Sequence, residues 1–213
     1  MKPIVHCITN YVAMNFTANA LLAVGTRPIM SFFTDEIEEI ASKCSSLLVN
    51  IGCLDRQLID ASTLAILAAK KYGKPWVLDP VGAGFTQLRT ETCQRLIALN
   101  PPTIIRGNKA EITAINHCSR ESVVITSGEI DVITDGVQKR TISNGHPIMA
   151  DVTGMGCVSS AICAAMLAKN ETPLDAAYHA MLIMGKCGER AAAQSLGTGS
   201  FQQIFIDELY KYK

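Results

Sequence analysis

The chain alternates short apolar runs with longer segments in which apolar residues recur every three or four positions. The runs predict buried strands and the longer segments predict helices packed on one face. The predicted strands are residues 4–8, 28–30, 46–52, 75–80, 102–108 and 122–128, followed by a hairpin of 130–136 and 138–142. The predicted helices are 15–24, one beginning at Thr34, 58–72, 90–99, 111–116, 157–168, 173–194 and 201–212. This alternation is typical of a mostly parallel sheet with covering helices, and nothing divides the chain, so we expect one α/β domain over residues 1–213.

Composition and charge exclude several classes of protein. The 19 Lys and Arg residues balance the 19 Asp and Glu residues, and no basic run marks a partner such as nucleic acid or an anionic membrane. The N-terminus lacks the apolar core of a signal peptide, and the apolar runs are too short to span a bilayer. We therefore expect a cytoplasmic protein.

The eight cysteines are scattered, with no C-x-x-C pair and no histidine at metal-ligand spacing. Most are expected to be small buried apolar residues in a reducing compartment. Cys157 is the exception, because it lies at a glycine turn that leads into a predicted helix. Such a position is expected to lower the pKa of a thiol and to expose its sulfur to a ligand.

The glycine turn at residues 151–157 precedes the small, apolar helix predicted over 157–168. Two glycines, Gly154 and Gly156, allow the backbone to approach a ligand closely, and the first helical turn offers free N–H groups. An anion is the natural guest, and a phosphate in transfer fits best. Taken alone, the turn also fits a plain glycine turn that starts a core helix, and it is not a Walker A loop.

Polar residues recur where the predicted strands end, which is the edge at which parallel sheets gather ligands. They are Asn10, Asp79, Arg106, Asn108, Ser127 and Gly154. Asn108 and Glu111, three residues apart at a strand-to-helix turn, are suited to hold a hydrated Mg²⁺, and Arg106 offers a fork for phosphate oxygens. Each also has an ordinary structural role open to it: Asp79 in a turn, Glu111 in a helical first turn and Arg106 in a surface ion pair.

Segments that extend from one end of the chain to the other carry a resemblance to a known family. They are Val5-His6-Cys7-Ile8-Thr9-Asn10, Asn50-Ile51-Gly52, Asp79-Pro80-Val81-Gly82, Arg106-Gly107-Asn108, Asn144-Gly145-His146-Pro147, Val152-Thr153-Gly154-Met155-Gly156-Cys157 and Gly199-Ser200-Phe201. As an ordered set they resemble hydroxyethylthiazole kinase. The resemblance implies a three-layer α/β/α ribokinase-like sandwich. It also implies ATP- and Mg²⁺-dependent phosphorylation of the hydroxyethyl group of 4-methyl-5-(2-hydroxyethyl)thiazole in thiamine salvage, by a homotrimer with active sites between subunits.

The resemblance also implies roles for individual positions. The thiazole pocket would be lined by Asn10, Met30 and Gly154. The metal would be held by Asp79, Asn108 and Glu111, and ATP would be contacted by Arg106 and Ser127. Transfer would take place at Gly154, Gly156 and Cys157, where the N–H groups of the turn hold the anion and the thiol assists as a base without being essential.

The chain departs from the family between Glu111 and Val123, where the family has a further long helix. The residues that remain, 112–122, suffice for a parallel crossover with a minimal helix, so one sheet face should be thinly covered there. Met155 is expected to add bulk to the glycine turn. Two alternatives therefore stay open beside the thiazole kinase: a kinase for a related alcohol such as hydroxymethylpyrimidine, and a member that binds thiazole or nucleotide without efficient turnover.

Overall fold

The computed structural model describes residues 2–116 and 121–212. The strands are β1 (Ile4–Ile8), β2 (Arg27–Met30), β3 (Ser46–Asn50), β4 (Trp76–Asp79), β5 (Ile104–Asn108), β6 (Val123–Ser127), β7 (Asp131–Thr134) and β8 (Lys139–Ile142). The helices are α1 (Met14–Ala23), α2 (Ile37–Lys43), α3 (Arg56–Lys71), α4 (Gln87–Leu99), α5 (Lys109–Ile115), α6 (Met155–Ala168), α7 (Pro173–Gln194) and α8 (Thr198–Tyr210), with a short 3₁₀ helix at Pro147–Asp151.

The strands form one sheet in the order β2-β1-β3-β4-β5-β6-β7-β8. Strands β1 to β6 run parallel, whereas β7 and β8 form an antiparallel hairpin at the edge. The predicted α/β class, the mostly parallel sheet and the hairpin are confirmed. Parallel strands require helical crossovers, and these place helices on both faces of the sheet.

Two apolar cores lie on opposite faces of the sheet, because successive side chains of a strand point to opposite sides. Leu48, Val77 and Ile104 pack in the core beneath α1, α6, α7 and α8. Leu47, Val49, Leu78 and Ile105 pack in the core beneath α2, α3, α4 and α5. The molecule is therefore a three-layer α/β/α sandwich.

Helix α6 is the most deeply buried of these helices, with every residue from Val158 to Ala168 shielded from solvent. Its small side chains let its backbone come close to the sheet. Ser46 at the start of β3 donates a hydrogen bond from its hydroxyl to the carbonyl oxygen of Ala164, at 2.7 Å. The buried helix predicted from composition is confirmed, although it begins at Met155 and not at Cys157.

The predicted helix start at Thr34 is wrong. Residues 34–36 form a turn, α2 begins at Ile37, and the residue at its N-cap, Glu36, makes no side-chain capping bond. The N–H of Glu36 is already bonded to the carbonyl of Phe33, and Ile37 is the first side chain of this region that is fully buried. The start of the helix follows the buried residue and not the nearest capping side chain.

In the described part of the crossover from β5 to β6, the helix is the seven-residue α5. It packs against α4 and against both strands, with Ile115 buried. The predicted minimal helix is confirmed, while residues 117–120 of the predicted short crossover lie outside the described residues. In the part of the chain that the structure describes, no helix is long and apolar enough to cross a membrane.

The described cysteines are free, and those outside the glycine turn and the β3–α3 loop are buried, as predicted. Cys118 lies outside the described residues.

A pair of helical glycines tests the packing of α7. A Cβ at Gly185 would lie 2.6 Å from the carbonyl oxygen of Asn144, whereas a Cβ at Gly199 in α8 would meet nothing within 4 Å. We expect Gly185→Ala to lower the free energy of unfolding by about 1–3 kcal/mol, because backbone must move. The matched Gly199→Ala should be neutral or raise it by up to about 1 kcal/mol. Urea denaturation measures both, and equal effects would contradict the packing.

Candidate active site

The polar residues at the strand ends lie on the α6 side of the sheet. Alternation along each strand puts Asn50, Asp79 and Arg106 on the same face as the core residues that precede them by two positions. Asn50 lies directly opposite Asp79 in the register of β3 and β4, and Asn108 lies opposite Ser127 in that of β5 and β6. Strand register and the glycine turn at the start of α6 thus gather residues that are far apart in sequence.

A chain of buried hydrogen bonds joins three strand ends. The Asn10 side chain accepts the N–H of Ala13 (3.0 Å) and donates from Nδ2 to Oδ1 of Asn50 (2.9 Å). Asn50 Oδ1 also accepts the N–H of Gly52 (2.9 Å), and Asn50 Nδ2 donates to Oδ2 of Asp79 (2.6 Å). The sequence analysis assigned Asn50 no role, although it stands in one of the family-like segments.

The Asp79 carboxylate is almost completely enclosed, with 1% of the residue exposed. Burial raises its pKa to about 6, against the opposing effect of the Arg106 guanidinium and of hydrogen bonds from Ser160 and Asn50. The nearby Glu111 carboxylate adds to the rise. Asp79 is therefore not an ordinary turn residue. It is a buried carboxylate that a neighbouring cation would stabilise.

Arg106 extends from β5 to the first turn of α6. A Cβ on Gly156 would lie 2.5 Å from its Nη1 atom, so the guanidinium lies directly against this glycine. Its Nε is buried and has no hydrogen-bond partner among the described residues. The alternative of a surface ion pair is therefore wrong. A guanidinium with an unused buried donor beside a helix N-terminus is suited to bind a phosphate group.

Gly154 is the N-cap of α6 and has φ +90°, a conformation that favours glycine. A Cβ there would also press against Ala13 of the β1–α1 loop at 3.3 Å. The N–H groups of the following turn have no partner within the helix, which agrees with the predicted anion site. Met155 adds no bulk to the ligand side of the turn, contrary to expectation, because its side chain is buried in the core.

Cys157 is half-buried, and its sulfur receives hydrogen bonds from the side chains of Asn10, at 3.3 Å, and Asn50. The expected lowering of its pKa is wrong. Burial and the negative charge of Asp79 raise the pKa of this thiol to about 11, and the two amides and Arg106 offset only part of that effect. At neutral pH the side chain is a thiol, because desolvation outweighs the helix N-terminus.

Asn108 and Glu111 form a capping box at the start of α5. The Asn108 side chain accepts the N–H of Glu111 (2.9 Å), and Glu111 Oε2 accepts the N–H of Asn108 (2.8 Å). Glu111 Oε1 accepts the N–H of Gly82 from the β4–α4 loop (2.9 Å). The Asn-x-x-Glu spacing thus has a structural role that the sequence analysis did not consider.

Arg89 is a second residue that the sequence analysis missed. Its guanidinium donates to the carbonyls of Ile51, Val81 and Gly52, each at 2.9 Å. It thereby ties the loop after β3 to the loop after β4. The predicted helix start at Thr90 placed Arg89 outside α4, which in fact begins at Gln87 behind the N-cap residue Thr86.

Met30 and Ser127 lie at the flanks of this site. Met30 is half-buried at the end of β2 and pairs with Cys7 of β1, next to the loop that carries Asn10. The Ser127 hydroxyl donates to the carbonyl of Gly107 at 3.0 Å, two strands away from Asp79. Hydrogen bonds made by Asn10 and Asn50 join Asn10, Asp79 and Cys157, whereas Met30 and Ser127 lie on either side of this group.

The carboxylates of Asp79 and Glu111 are better suited to a hydrated Mg²⁺ than to a cation whose ligands all come from the protein. Within the described residues, no cluster of three or more His, Cys, Asp or Glu side chains is placed to hold a metal ion. The Glu111 carboxylate lies near enough to Asp79 to help raise the pKa of that carboxyl. Mg²⁺ commonly keeps several waters and uses one or two carboxylates together with phosphate oxygens, and this donor set fits that pattern.

Comparison with known proteins gives a consistent family. The model of the hydroxyethylthiazole kinase family matches residues 1–122 and 118–213, two segments that meet at the short crossover. A relative named hydroxyethylthiazole kinase from Brachyspira hyodysenteriae is 46% identical, with 99% of this chain and 89% of that protein covered. One of the same name from Leptospira biflexa is 40% identical, covering 99% and 88%. Both align over 235 positions, more than the 213 residues present here, so this chain carries a gap relative to them.

Solved structures agree. A structure of a hydroxyethylthiazole kinase protein from Pyrococcus horikoshii is 35% identical and has a TM-score of 0.95, covering 99% of this chain and 88% of that one. Pyridoxal kinase from Staphylococcus aureus, in complex with AMP-PCP and pyridoxal, has a TM-score of 0.64 at 14% identity. The second likeness concerns the fold alone, and it confirms the ribokinase-like architecture.

The burial of Asp79 makes the stability of the protein depend on pH. The pKa of Asp79 is about 6 in the folded chain, whereas the ordinary value for an aspartate carboxyl is 3.8. Between these values the unfolded chain releases a proton that the folded chain keeps, so the contribution of Asp79 to the free energy of unfolding falls as pH rises from about 4 to 6. We expect Asp79→Asn to remove that fall and to raise the free energy of unfolding at pH 7 by on the order of 2–3 kcal/mol.

Urea denaturation at pH 4, 5, 6 and 7 measures this effect. Asp135→Asn in the hairpin turn is the control, because backbone N–H groups lower the pKa of Asp135 and its substitution should bring no gain at pH 7. A loss of stability at pH 7 for Asp79→Asn would contradict the burial of an ionised carboxylate.

Proposed function

The chain belongs to the hydroxyethylthiazole kinase family, and we propose that it transfers the γ-phosphoryl group of ATP to the hydroxyethyl side chain of 4-methyl-5-(2-hydroxyethyl)thiazole. The activity is that of the family, a phosphotransferase with an alcohol acceptor. The product would enter thiamine synthesis by salvage. The roles of individual residues, the Mg²⁺ ion and the homotrimer belong to the same proposal.

The observation that carries the proposal is the placement of Arg106 against Gly156. The guanidinium has an unused buried donor and faces the first turn of α6, whose backbone N–H groups lack partners within the helix. A positive group and helix N–H groups that converge on one point stabilise charge that develops on a phosphoryl group. Among the described residues Arg106 forms no salt bridge, although the Asp79 carboxylate lies near enough to be affected by its charge.

The chemistry is an in-line displacement. The hydroxyl oxygen of the thiazole alcohol attacks the γ-phosphorus and the bond to the β-phosphate oxygen breaks, so that ADP leaves. The hydroxyl proton passes to solvent water. Arg106 and the turn at Gly154–Gly156 hold the moving phosphoryl group, while Asn10 and Met30 hold the alcohol. The transition state of phosphoryl transfer is loose, so positioning and charge matter more than a strong base.

A Mg²⁺ ion held at this site would supply positive charge that neutralises the phosphates during transfer. Asp79 and Glu111 would hold its water shell, and Asn108 would act through the capping box that orients Glu111. Ser127 would offer its hydroxyl to the nucleotide.

Cys157 is assigned a supporting role. Because the pKa of Cys157 is raised to about 11, the side chain would be a protonated thiol when the phosphoryl group is transferred. Its sulfur already receives hydrogen bonds from two amides, which leaves the S–H free to face the acceptor. The residue would help to orient the alcohol more than to remove its proton.

The second candidate function is that of a family member that binds thiazole or nucleotide with little turnover. The observation that favours it is the short crossover beside the proposed nucleotide site. The helix described between β5 and β6, α5, has seven residues. A kinase that prefers a hydroxymethylpyrimidine-like alcohol is an alternative outcome of the same assay. We also propose a cytosolic location, which the free thiols support.

The decisive measurement is formation of thiazole phosphate from the alcohol and ATP, with and without Mg²⁺. We expect Mg²⁺-dependent product. We also expect Asp79→Ala and Arg106→Ala to lower kcat by on the order of 100-fold or more, because each removes charge stabilisation. Cys157→Ser should lower it less.

Arg27→Ala at the start of β2, where the side chain is exposed, should leave turnover unchanged. Thiazole binding without product, from folded protein, would favour the binding member. If product formed only from the pyrimidine alcohol, that alcohol would replace the thiazole alcohol as the proposed acceptor.

We further propose a homotrimer with active sites between subunits. Exposed apolar side chains follow two of the pocket residues: Tyr11 and Val12 come after Asn10, and Phe33 comes soon after Met30. Tyr11 packs edge-on against Phe32, with ring centroids 5.6 Å apart, so the two loops present one apolar surface. A surface of this kind beside a ligand site supports burial against a partner.

Sedimentation velocity tests the assembly. We expect a trimer for the parent chain and smaller species for Val12→Glu, with weaker thiazole binding, because a buried charge would oppose association. Val137→Glu in the hairpin turn, where the side chain is 91% exposed, is the matched control and should remain trimeric. A monomeric parent that binds thiazole would end the proposal.

A further inference from the structure

The orientation of the Asn50 side chain is fixed by backbone groups. Its oxygen accepts the N–H of Gly52, a donor that cannot be turned around, so its nitrogen must be the atom that faces Asp79. The same holds for Asn10, whose oxygen accepts the N–H of Ala13. The direction of every hydrogen bond from Asn10 through Asn50 to Asp79 is therefore determined by the fold and not by a choice of amide rotamer.

This arrangement links the two halves of the site. Asn50 is fully buried and contacts Asp79 on one side and Asn10 on the other. Its nitrogen orients the carboxylate at the phosphate half, and its oxygen orients the amide at the alcohol half. Its position opposite Asp79 in the strand register brings the two side chains within reach.

We propose that Asn50 is a positioning residue of the kinase, which holds the Asp79 carboxylate and the Asn10 amide in one geometry. The inference rests on the proposed function, since the roles of Asp79 and Asn10 come from it. Asn50 itself touches neither substrate nor phosphate in this proposal. It acts through the two residues that do.

A purely structural role does not account for this residue. A buried amide has to regain its hydrogen bonds from protein groups, and an apolar side chain of similar size would fill the same space without that requirement. Among the described residues, the partners that satisfy the Asn50 side chain are Asn10, Asp79, Cys157 and the Gly52 N–H. The polar identity of residue 50 is thus matched to the site and not to the core that surrounds it.

Two substitutions separate the functions of its two atoms. Asn50→Asp keeps an oxygen that can accept from Asn10 and from the Gly52 N–H. It replaces the amide that donates to Asp79 by a carboxyl group that competes with Asp79 for a proton. We expect kcat to fall on the order of 100-fold while the thiazole Kd stays near the parental value. Asn50→Ala loses both contacts. It should lower kcat similarly and also weaken thiazole binding about tenfold, because Asn10 loses its partner.

The measurements are kcat with ATP and Mg²⁺, and thiazole Kd by calorimetry without nucleotide or metal. Gln194→Glu is the matched control, because Gln194 donates in the same way to the buried carboxylate of Glu208 (3.0 Å) outside this network. It should leave both constants unchanged. If the Asn50 variants lose melting temperature but keep the parental kcat and Kd, the residue is structural only and the inference is overturned.

The parent chain separates this inference from the proposed function. If the parent yields no thiazole phosphate, the proposed function fails first. If the parent is active but Asn50→Asp and Asn50→Ala behave like the Gln194→Glu control, only the inference fails.

A measurement that needs neither Asn50→Asp nor Asn50→Ala covers the case in which both of these variants fail to fold. In protein labelled with ¹⁵N-asparagine, the side-chain amide signals can be assigned with conservative Asn10→Ser and Asn50→Ser variants. We expect thiazole alone to shift the Asn50 signal as well as that of Asn10, because the two amides share a hydrogen bond. A shift confined to Asn10 would overturn the coupling.

Discussion

The close approach of α6 to the sheet is the constraint on which the site depends. A helix in which most residues are small can come near enough for Ser46 of β3 to reach a carbonyl of the helix. That approach brings the first turn of α6 to the carboxyl ends of the strands, where the helix N–H groups face Arg106. A larger residue at position 156 would occupy the space that the guanidinium now takes. Packing therefore decides where the anion can bind.

The site also stores unfavourable energy. Asp79 is enclosed at the carboxyl end of β4, Arg106 has a buried donor without a partner among the described residues, and Cys157 is desolvated. Each of these groups would be more stable in water. The surrounding fold supplies the compensation through two continuous cores and fixed amide orientations. A phosphate and a cation would satisfy the same groups at once, which is why their arrangement is more informative than any single motif.

Much of this structure could be predicted from the sequence. Alternating apolar runs and helical periodicity were enough for the parallel sheet, and strand ends were enough to collect Asn10, Asp79 and Arg106. What failed depended on contacts that spacing does not reveal. The pKa of Cys157 follows from burial and from Asp79, which is distant in the chain. Arg89 and Asn50 have their roles because loops meet in space, and the start of α2 was set by the burial of Ile37 and not by the capping residue Thr34.

The shortened crossover becomes easier to understand once the contacts of Glu111 are known. Its carboxylate is fixed by the N–H of Asn108 on its own helix and by the N–H of Gly82 from the preceding loop. Arg89 in turn steadies that loop through the carbonyl of Val81. All of these contacts come from residues that precede α5 or lie in its first turn. The chain is shortened after the point at which the carboxylate is already held, so a site of this design can lose the distal part of the crossover and keep its geometry.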